Sequence, residues 1–406
     1  MGLEDHPSLL ILPYPPDPLT RDSLSAAYRP SLKSALEKTS RPTGAARLTV
    51  AVVCPVLHGQ YLRSKTLSWP DAQTLVAGIY GLISVLCAQL SINTEVNGGP
   101  NSVDSSVLLI DDDRAKRYPA DFRPAIDPNN TAIIDMPTFA SAYHPWNSIF
   151  TVRSELGFQV SQAYLKLAEG RQSLLQSQLV PVEGGLVLNV AKSDPPSLAP
   201  QTATYPAVCL GGTFDYLHPG HKLLLTAGAL LLQVPRRGDP VPPCRYIIGI
   251  TGDEMLRNKK FAEYVQPWEE RARNVIVFLA QLLELSPRGW KDSTAPKIEE
   301  KDGDFTAAFR DGTIQVQCVR IQDAFGPTIT VEDIQALVVS AETRAGGQAV
   351  NEKRAEKGWH ALEVFEVDVL DAEEVVDGPT KTENFASKIS STAIRQQRAA
   401  RNGTKI

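Results

Sequence analysis

The chain has 406 residues, of which 43% are hydrophobic and 21% charged, and its formal net charge at pH 7 is -5. These values are typical of a globular protein. The slightly acidic balance gives no reason to expect a nucleic acid as a partner. Because the length exceeds that of one ordinary hydrophobic core, we expect two domains.

The cysteines and the apolar runs indicate a cytoplasmic protein without a membrane span. Five cysteines are spread along the chain, and no pair has C-x-x-C spacing. An odd number of distant cysteines favours reduced thiols. No apolar run reaches the roughly 18 residues that a spanning helix needs. The acidic N-terminus also lacks the apolar core of a signal peptide.

Residues 1–180 predict an N-terminal α/β domain, because strand and helix patterns alternate along them. Strands are expected at residues 8–13, 48–53, 106–110 and 132–135, and helices at 19–38, 70–90 and 154–167. No catalytic pattern occurs here, so the role of this domain is not predicted. The acidic run at residues 111–113 either binds a metal or forms a polar turn that ends a strand, and the turn is favoured.

Residues 181–206 are rich in proline and are interpreted as a linker to a second domain at residues 207–406. Five strands are expected there, at residues 207–210, 245–251, 313–321, 334–340 and 363–369, with residues 286–312 as a polar insertion. Helical patterns lie between several of these strands. The pattern predicts a doubly wound, Rossmann-like parallel sheet that binds ligands beyond the carboxyl ends of its strands.

Residues 207–226, AVCLGGTFDYLHPGHKLLLT, read as strand, glycine turn and helix. A glycine turn that leads into a helix directs backbone N–H groups and the positive end of the helix dipole at one point, which suits phosphate. His218 and His221 stand at the start of this helix, where both can face that point. The alternatives are a plain surface turn or half of a metal site.

Other polar residues follow the remaining strands. Lys259 and Lys260 come after the second strand, and Arg344 comes after the fourth. Residues 387–395, SKISSTAIR, place Ser390, Ser391 and Thr392 at a helix start, with Arg395 one turn further on. Hydroxyls and N–H groups at a helix start suit a polyphosphate, although they also occur in an ordinary N-cap.

GGTFDYLHPGH and SKISSTAIR resemble the two signatures of the HxGH nucleotidyltransferase superfamily. Four further stretches, GITGDE, QPWEER, DAFGPT and LVVSAETRAGGQAVNEKR, make the chain most similar to eukaryotic, fungal-type phosphopantetheine adenylyltransferases. The likeness covers residues 207–400. Since no G-x-x-x-x-G-K-[ST] motif occurs, no kinase domain is expected beside it.

This resemblance implies the conversion of ATP and 4′-phosphopantetheine into dephospho-coenzyme A and pyrophosphate, with Mg²⁺ carried by ATP and no protein metal site. It implies that His221 contacts the α-phosphate and that His218 supports the β-phosphate side. Thr213 and Lys259 would position the attacking phosphate, with Lys260 an equal contender and Arg344 a further substrate contact. The implied ATP-binding residues, besides the two histidines, are Gly211, Gly212, Phe214, Gly249, Asp253, Ser390, Ser391, Thr392 and Arg395.

Three alternatives stay open. A cytidylyltransferase for a phospho-alcohol shares HxGH but normally carries an RTEGISTS-like string, which is absent here. A nicotinamide mononucleotide adenylyltransferase shares ISSTxxR but lacks the LVVSAET block. A scaffold that assembles enzymes of coenzyme A biosynthesis is the third, because the N-terminal half shows no chemistry of its own.

Overall fold

The computed structural model describes residues 6–58, 66–95, 99–112, 119, 121–123, 129–142, 145–186, 201–284, 296–368 and 390–403. In these parts of the chain, the N-terminal and C-terminal halves each contain one large sheet flanked by helices.

The N-terminal half contains a six-stranded parallel sheet with the order β6-β5-β2-β1-β7-β8. The strands of this half are β1 (Ser8–Leu12), β2 (Ala45–Cys54), β3 (Leu57–His58), β4 (Thr66–Leu67), β5 (Ser102–Asp111), β6 (Ile134–Asp135), β7 (Ile149–Arg153) and β8 (Leu179–Glu183). The helices are α1 (Arg21–Thr39), α2 (Trp69–Gln89), α3 (Met136–Ser141) and α4 (Glu155–Ala168). The α/β class is therefore confirmed, although β7 and β8 were not expected from the sequence.

Local sequence explains where these helices begin. The Thr20 side chain accepts from the Ser23 backbone N–H while the Ser23 hydroxyl accepts from the Thr20 N–H, so α1 starts in a capping box. The Ser154 hydroxyl accepts from the Gly157 N–H and caps α4. Helix α2 is apolar and long enough to cross a membrane by composition alone, but 72% of its most apolar stretch is buried inside the protein.

The predicted linker and acidic run are partly described. Strand β8 pairs with β7, so residues 181–183 of the predicted linker lie in the N-terminal sheet, and residues 187–200 lie outside the described parts. The Asp111 carboxylate accepts from the Leu57 N–H, and Asp113 is not described. Within the described residues, no three His, Cys, Asp or Glu side chains are grouped so that they could hold a metal ion.

The C-terminal half contains a seven-stranded sheet with the order β11-β12-β13-β10-β9-β14-β15. Its strands are β9 (Ala207–Gly212), β10 (Cys244–Thr251), β11 (Ile298–Lys301), β12 (Asp304–Phe309), β13 (Ile314–Ile321), β14 (Ala336–Ser340) and β15 (Glu363–Val367). Its helices are α5 (Pro219–Ala229), α6 (Trp268–Leu283), α7 (Arg344–Glu356) and α8 (Ser391–Gly403). Five of these strands, from β13 to β15 in this order, are parallel, which confirms the doubly wound sheet.

The prediction of a polar insertion at residues 286–312 was wrong for residues 298–309, which contain two strands. Strands β11 and β12 form a hairpin that pairs antiparallel with β13 and extends the sheet to seven strands. Phe305, Ala307 and Phe309 alternate along β12 and are buried, while polar or exposed residues between them conceal the pattern. The alternation of period two is therefore present but short.

The two halves share one apolar core. A continuous cluster of buried side chains includes Leu36 and Tyr80 from the N-terminal half and Leu225 and Phe278 from the C-terminal half. At the end of the interface near the β12–β13 turn, the Arg310 guanidinium donates to the Thr131 and Ala132 carbonyls at 3.0 and 2.5 Å. Separating the halves would expose this core and leave those carbonyls without their donors.

We predict that both halves unfold in one cooperative transition, because their cores are continuous. Differential scanning calorimetry should give a calorimetric enthalpy close to the van't Hoff enthalpy. Arg310→Met should lower the midpoint of that single transition. Lys33→Ala, which removes an exposed pair with Glu37, should leave the midpoint nearly unchanged. Two resolved transitions in the unaltered protein would contradict the shared core.

Candidate nucleotide site

A crevice opens where β9 and β14 separate. The pairing between these strands ends at Leu210 and Val338, whereas β9 continues beside β10 as far as Gly212, and β14 continues beside β15 as far as Ser340. The two central strands therefore diverge at their carboxyl ends. This is the point where the strand order reverses, at which doubly wound sheets bind ligands.

The floor of the crevice lacks side chains. Gly211 pairs with Gly249 across β9 and β10, and Gly211 is exposed. A Cβ atom at Gly211 would come no closer than 3.8 Å to another atom, so glycine is not required there by packing. At Gly249, a Cβ atom would lie 3.2 Å from Ile321. Gly211 therefore leaves the end of β9 open to a ligand. Gly249 is buried, and its predicted contact with the nucleotide stays a prediction.

The turn after β9 is held in an unusual conformation. Phe214 and Tyr216 have φ angles of 53° and 51°, in the left-handed region that residues with a Cβ atom rarely adopt. Phe214 is fully buried, and its ring centroid lies 5.2 Å from that of His221. The Tyr216 N–H donates to the Gln266 side chain at 2.7 Å. These contacts stabilise the turn and fix the start of α5.

The two motif histidines lie together at the start of α5. Their ring centroids are 3.9 Å apart, and the rings are inclined by 25°. Burial, and then the positive charge of Lys222, lower the pKa of His218 to about 4. Burial lowers the pKa of His221 well below its ordinary value of 6.5, and His218, Lys259 and Arg271 lower it further. Both imidazoles are therefore neutral at pH 7.

The Nδ1 atom of His221 is buried and has no hydrogen-bond partner among the described residues. A buried polar atom in this condition carries an unfavourable desolvation free energy, which a ligand can relieve. The atom belongs to a ring that stacks on His218 at a helix start beside the glycine floor. This arrangement suits an incoming phosphate oxygen.

Lys259 and Lys260 lie in the loop that follows β10, and both side chains are exposed. After burial and His218, the charge of Lys259 also lowers the pKa of His221. The Lys260 carbonyl accepts from Arg395 Nε at 3.1 Å. Which of the two lysines contacts the attacking phosphate stays a prediction.

Arg395 joins helix α8 to the turn between β9 and α5. The Arg395 guanidinium donates to the Asp215 carboxylate at 2.5 Å and to the Thr392 hydroxyl at 3.0 Å, and its side chain is 2% exposed. The Ser391 hydroxyl donates to the Asp215 carbonyl at 2.9 Å. The second motif is thus brought to the first. The predicted phosphate contact of Arg395 stays a prediction, because its donors face protein acceptors here.

The hydroxyls at the start of α8 include a helix cap, and their residues are partly exposed. The Ser390 hydroxyl accepts from the Ala393 N–H at 3.3 Å, as a helix cap does. Ser390, Ser391 and Thr392 are all partly exposed, so each remains accessible to solvent. Lys388 lies outside the described residues.

Arg271 is a site residue that the sequence interpretation missed. Its buried guanidinium donates to the backbone carbonyls of Thr213 and Thr251 at 2.7 and 2.8 Å, which joins the ends of β9 and β10. It also bonds the Asp253 carboxylate at 2.5 Å, and that carboxylate accepts from the Trp268 N–H. Asp253, expected to bind the nucleotide, is thus engaged with α6. The sequence could have predicted this buried role, because Arg271 lies among the buried residues of α6, next to Ala272.

Arg344 stands at the other wall of the crevice. It begins α7, directly after the short turn that follows β14, and its Nε donates to Glu366 of β15 at 2.6 Å. Its side chain is 70% exposed, so the ion pair is screened by solvent. No described contact joins Arg344 to the histidines, and its substrate role stays a prediction.

Comparisons with known proteins agree with this geometry. Residues 209–397 match the family described as cytidylyltransferase-like, and residues 1–188 match a domain of unknown function (DUF8446). The phosphopantetheine adenylyltransferase of Saccharomyces cerevisiae is 34% identical over 187 residues, which cover 46% of this chain and 47% of the yeast protein. This chain therefore spans about half the length of that relative.

Two archaeal relatives are matched over most of their length. The phosphopantetheine adenylyltransferase of Pyrococcus abyssi is 30% identical over 46% of this chain and 87% of its own length. That of Thermococcus gammatolerans is 31% identical over 47% of this chain and 88% of its own length. With the two motifs joined at one crevice, these matches show that the chain belongs to the phosphopantetheine adenylyltransferase family of cytidylyltransferase-like proteins.

Proposed function

We propose that this protein transfers the adenylyl group of ATP to 4′-phosphopantetheine, giving dephospho-coenzyme A and pyrophosphate, in the cytoplasm. The observation that carries the proposal is the stacked pair His218–His221 at the start of α5, in which the buried Nδ1 of His221 has no hydrogen-bond partner among the described residues. The names of the yeast and archaeal relatives support the choice of substrates.

The proposed reaction forms one bond and breaks one bond at phosphorus. A phosphate oxygen of phosphopantetheine bonds to the α-phosphorus of ATP, and the bond from that phosphorus to the bridging oxygen breaks, so that pyrophosphate leaves. The attacking oxygen is already anionic, and no general base is needed. Catalysis then consists of alignment and of stabilising charge on the leaving group. Mg²⁺ enters with ATP as part of the substrate.

The described residues supply those two functions in the proposed mechanism. His221 would donate a hydrogen bond to an α-phosphate oxygen as charge develops, and His218 would support the β-phosphate side. Lys259 would neutralise the attacking phosphate from the loop after β10, with Thr213 beside it. The accessible hydroxyls at the start of α8 would receive the outer phosphates, assisted by the N–H groups of that helix.

His221→Ala is expected to lower kcat by about 10²–10³-fold while the KM for ATP changes less, because the contact strengthens in the transition state. Steady-state kinetics with both substrates varied would measure this. His360→Ala is a matched control, since His360 is an exposed histidine beyond the end of α7. A kcat close to that of the unaltered protein would remove His221 from the mechanism.

The histidine pair should titrate abnormally. Since the folded-state pKa of His218 is lowered to about 4, the folded protein binds fewer protons than the unfolded chain between this pKa and 6.5. The contribution of His218 to stability is therefore fully present above pH 6.5 and falls as the pH approaches 4. Imidazole ¹⁵N NMR should find both rings neutral at pH 6, and bound ATP should raise both pKa values. Titration of either ring near pH 6.5 in the free protein would contradict the lowered pKa values.

A substrate panel separates the proposed reaction from its alternatives. ATP and CTP would each be assayed with phosphopantetheine, glycerol phosphate and nicotinamide mononucleotide, and the reverse reaction with dephospho-coenzyme A and pyrophosphate. We expect turnover with ATP and phosphopantetheine, and ATP formation in reverse. Preferred turnover of CTP or of nicotinamide mononucleotide would replace the proposed reaction. No turnover with any pair would favour a non-catalytic role.

A further inference from the structure

A lysine is buried directly after the second motif histidine. Lys222 lies on α5, and only 1% of its side chain is exposed. Its backbone N–H donates to the His218 carbonyl at 3.1 Å, so it belongs to the same helical turn as both histidines. A buried ammonium group is unfavourable unless a carboxylate and further acceptors surround it.

The N-terminal half supplies the acceptors. Lys222 Nζ lies 2.5 Å from the carboxylate of Asp104, which is on β5, and donates to the Ser105 carbonyl at 3.2 Å. The Asp104 side chain is itself 5% exposed. Its second oxygen accepts from Gln281 on α6 at 3.1 Å. One carboxylate from the N-terminal sheet therefore joins the two helices that flank the nucleotide site.

Helix α2 holds the other end of α5. The Trp69 indole N–H donates to the Ala227 carbonyl at 3.0 Å, and the Tyr80 hydroxyl lies 3.4 Å from the Thr226 hydroxyl. The Tyr80 oxygen also accepts from the Val107 N–H of β5. The same face of the N-terminal half thus contacts α5 at its first turn and near its C-terminal end.

We propose that the N-terminal half positions the histidine-bearing helix of the nucleotide site, and that Asp104, through its ion pair with Lys222, is the positioning residue. The activity test of this inference rests on the proposed adenylyl transfer, whereas its exchange test does not. An ion pair one residue from His221 limits both the rotation and the displacement of the first turn of α5. A displacement of about 1 Å at a reacting group can reduce turnover about a hundredfold.

The test compares Asp104→Asn, the double variant Asp104→Asn with Lys222→Met, and Arg310→Met in the full chain. Asp104→Asn should lower the midpoint of thermal unfolding by roughly 4–6 °C and kcat about 10–100-fold. The double variant removes both buried charges, so the midpoint should recover while kcat stays low. Arg310→Met removes hydrogen bonds of the interface whose acceptors, Leu283, Thr131 and Ala132, lie outside α5, and its kcat should stay within about twofold of the unaltered protein.

Recovery of both the midpoint and kcat in the double variant would overturn the inference, because the pair would then act on stability alone. An equal loss of kcat in Arg310→Met and Asp104→Asn would also overturn it. If Asp104→Asn does not fold, the double variant decides on its own, since it carries no unpaired buried charge.

Hydrogen exchange separates this inference from the proposed reaction. Relative to the amides of α7, the backbone amides of α5 should exchange faster in Asp104→Asn and in the double variant. In Arg310→Met, which lowers the stability of the whole protein, the amides of α5 and α7 should change by the same factor. If the unaltered protein shows no adenylyl transfer, the proposed function fails, and the exchange of α5 still decides whether Asp104 positions it. Unchanged exchange of α5 in the double variant would refute the positioning role.

Discussion

Two buried arginines hold the turn between β9 and α5, and the rest of the site depends on them. Arg271 bonds the Thr213 carbonyl at one end of the turn, and Arg395 bonds the Asp215 carboxylate in its middle. Burial raises the pKa of Asp215, while the Gln266 N–H and Arg395 oppose that rise. The turn contains two left-handed residues and would relax without such contacts. Because α5 begins directly after this turn, the turn also determines where His218 and His221 lie.

This use of the arginines determines how charge is distributed around the crevice. Both guanidinium groups are directed at protein acceptors, whereas the exposed cations at the strand ends include Lys259 and Lys260 after β10 and Arg344 after β14. The stacked histidines are neutral, so they do not repel each other or those lysines. A bound triphosphate would bring negative charge to a site whose histidines are neutral and whose exposed rim is positively charged. Charge-rich ligands are therefore favoured over the neutral parts of any substrate.

The sequence predicted those features that are encoded locally. Short apolar runs and glycine breaks identified the five parallel strands, and HPGH and ISSTAIR identified the two helix starts that the structure brings together. It did not predict that Asp253 pairs with Arg271, because the two are 18 residues apart and meet only through the packing of α6. The β11–β12 hairpin was missed because β11 contains no buried residue and the buried residues of β12 form an alternation of only three positions.

The contact between the two halves was harder to predict from the sequence, since it joins residues that are far apart in the chain. Asp104 and Lys222 are 118 positions apart, and each looks like an ordinary surface charge when taken alone. Asp104 nonetheless stands inside a strand whose residues, except Asp111 at its end, are otherwise apolar or small, and a buried carboxylate there requires a cation from elsewhere. A buried lysine on α5 is therefore tolerated here because its carboxylate belongs to the same chain.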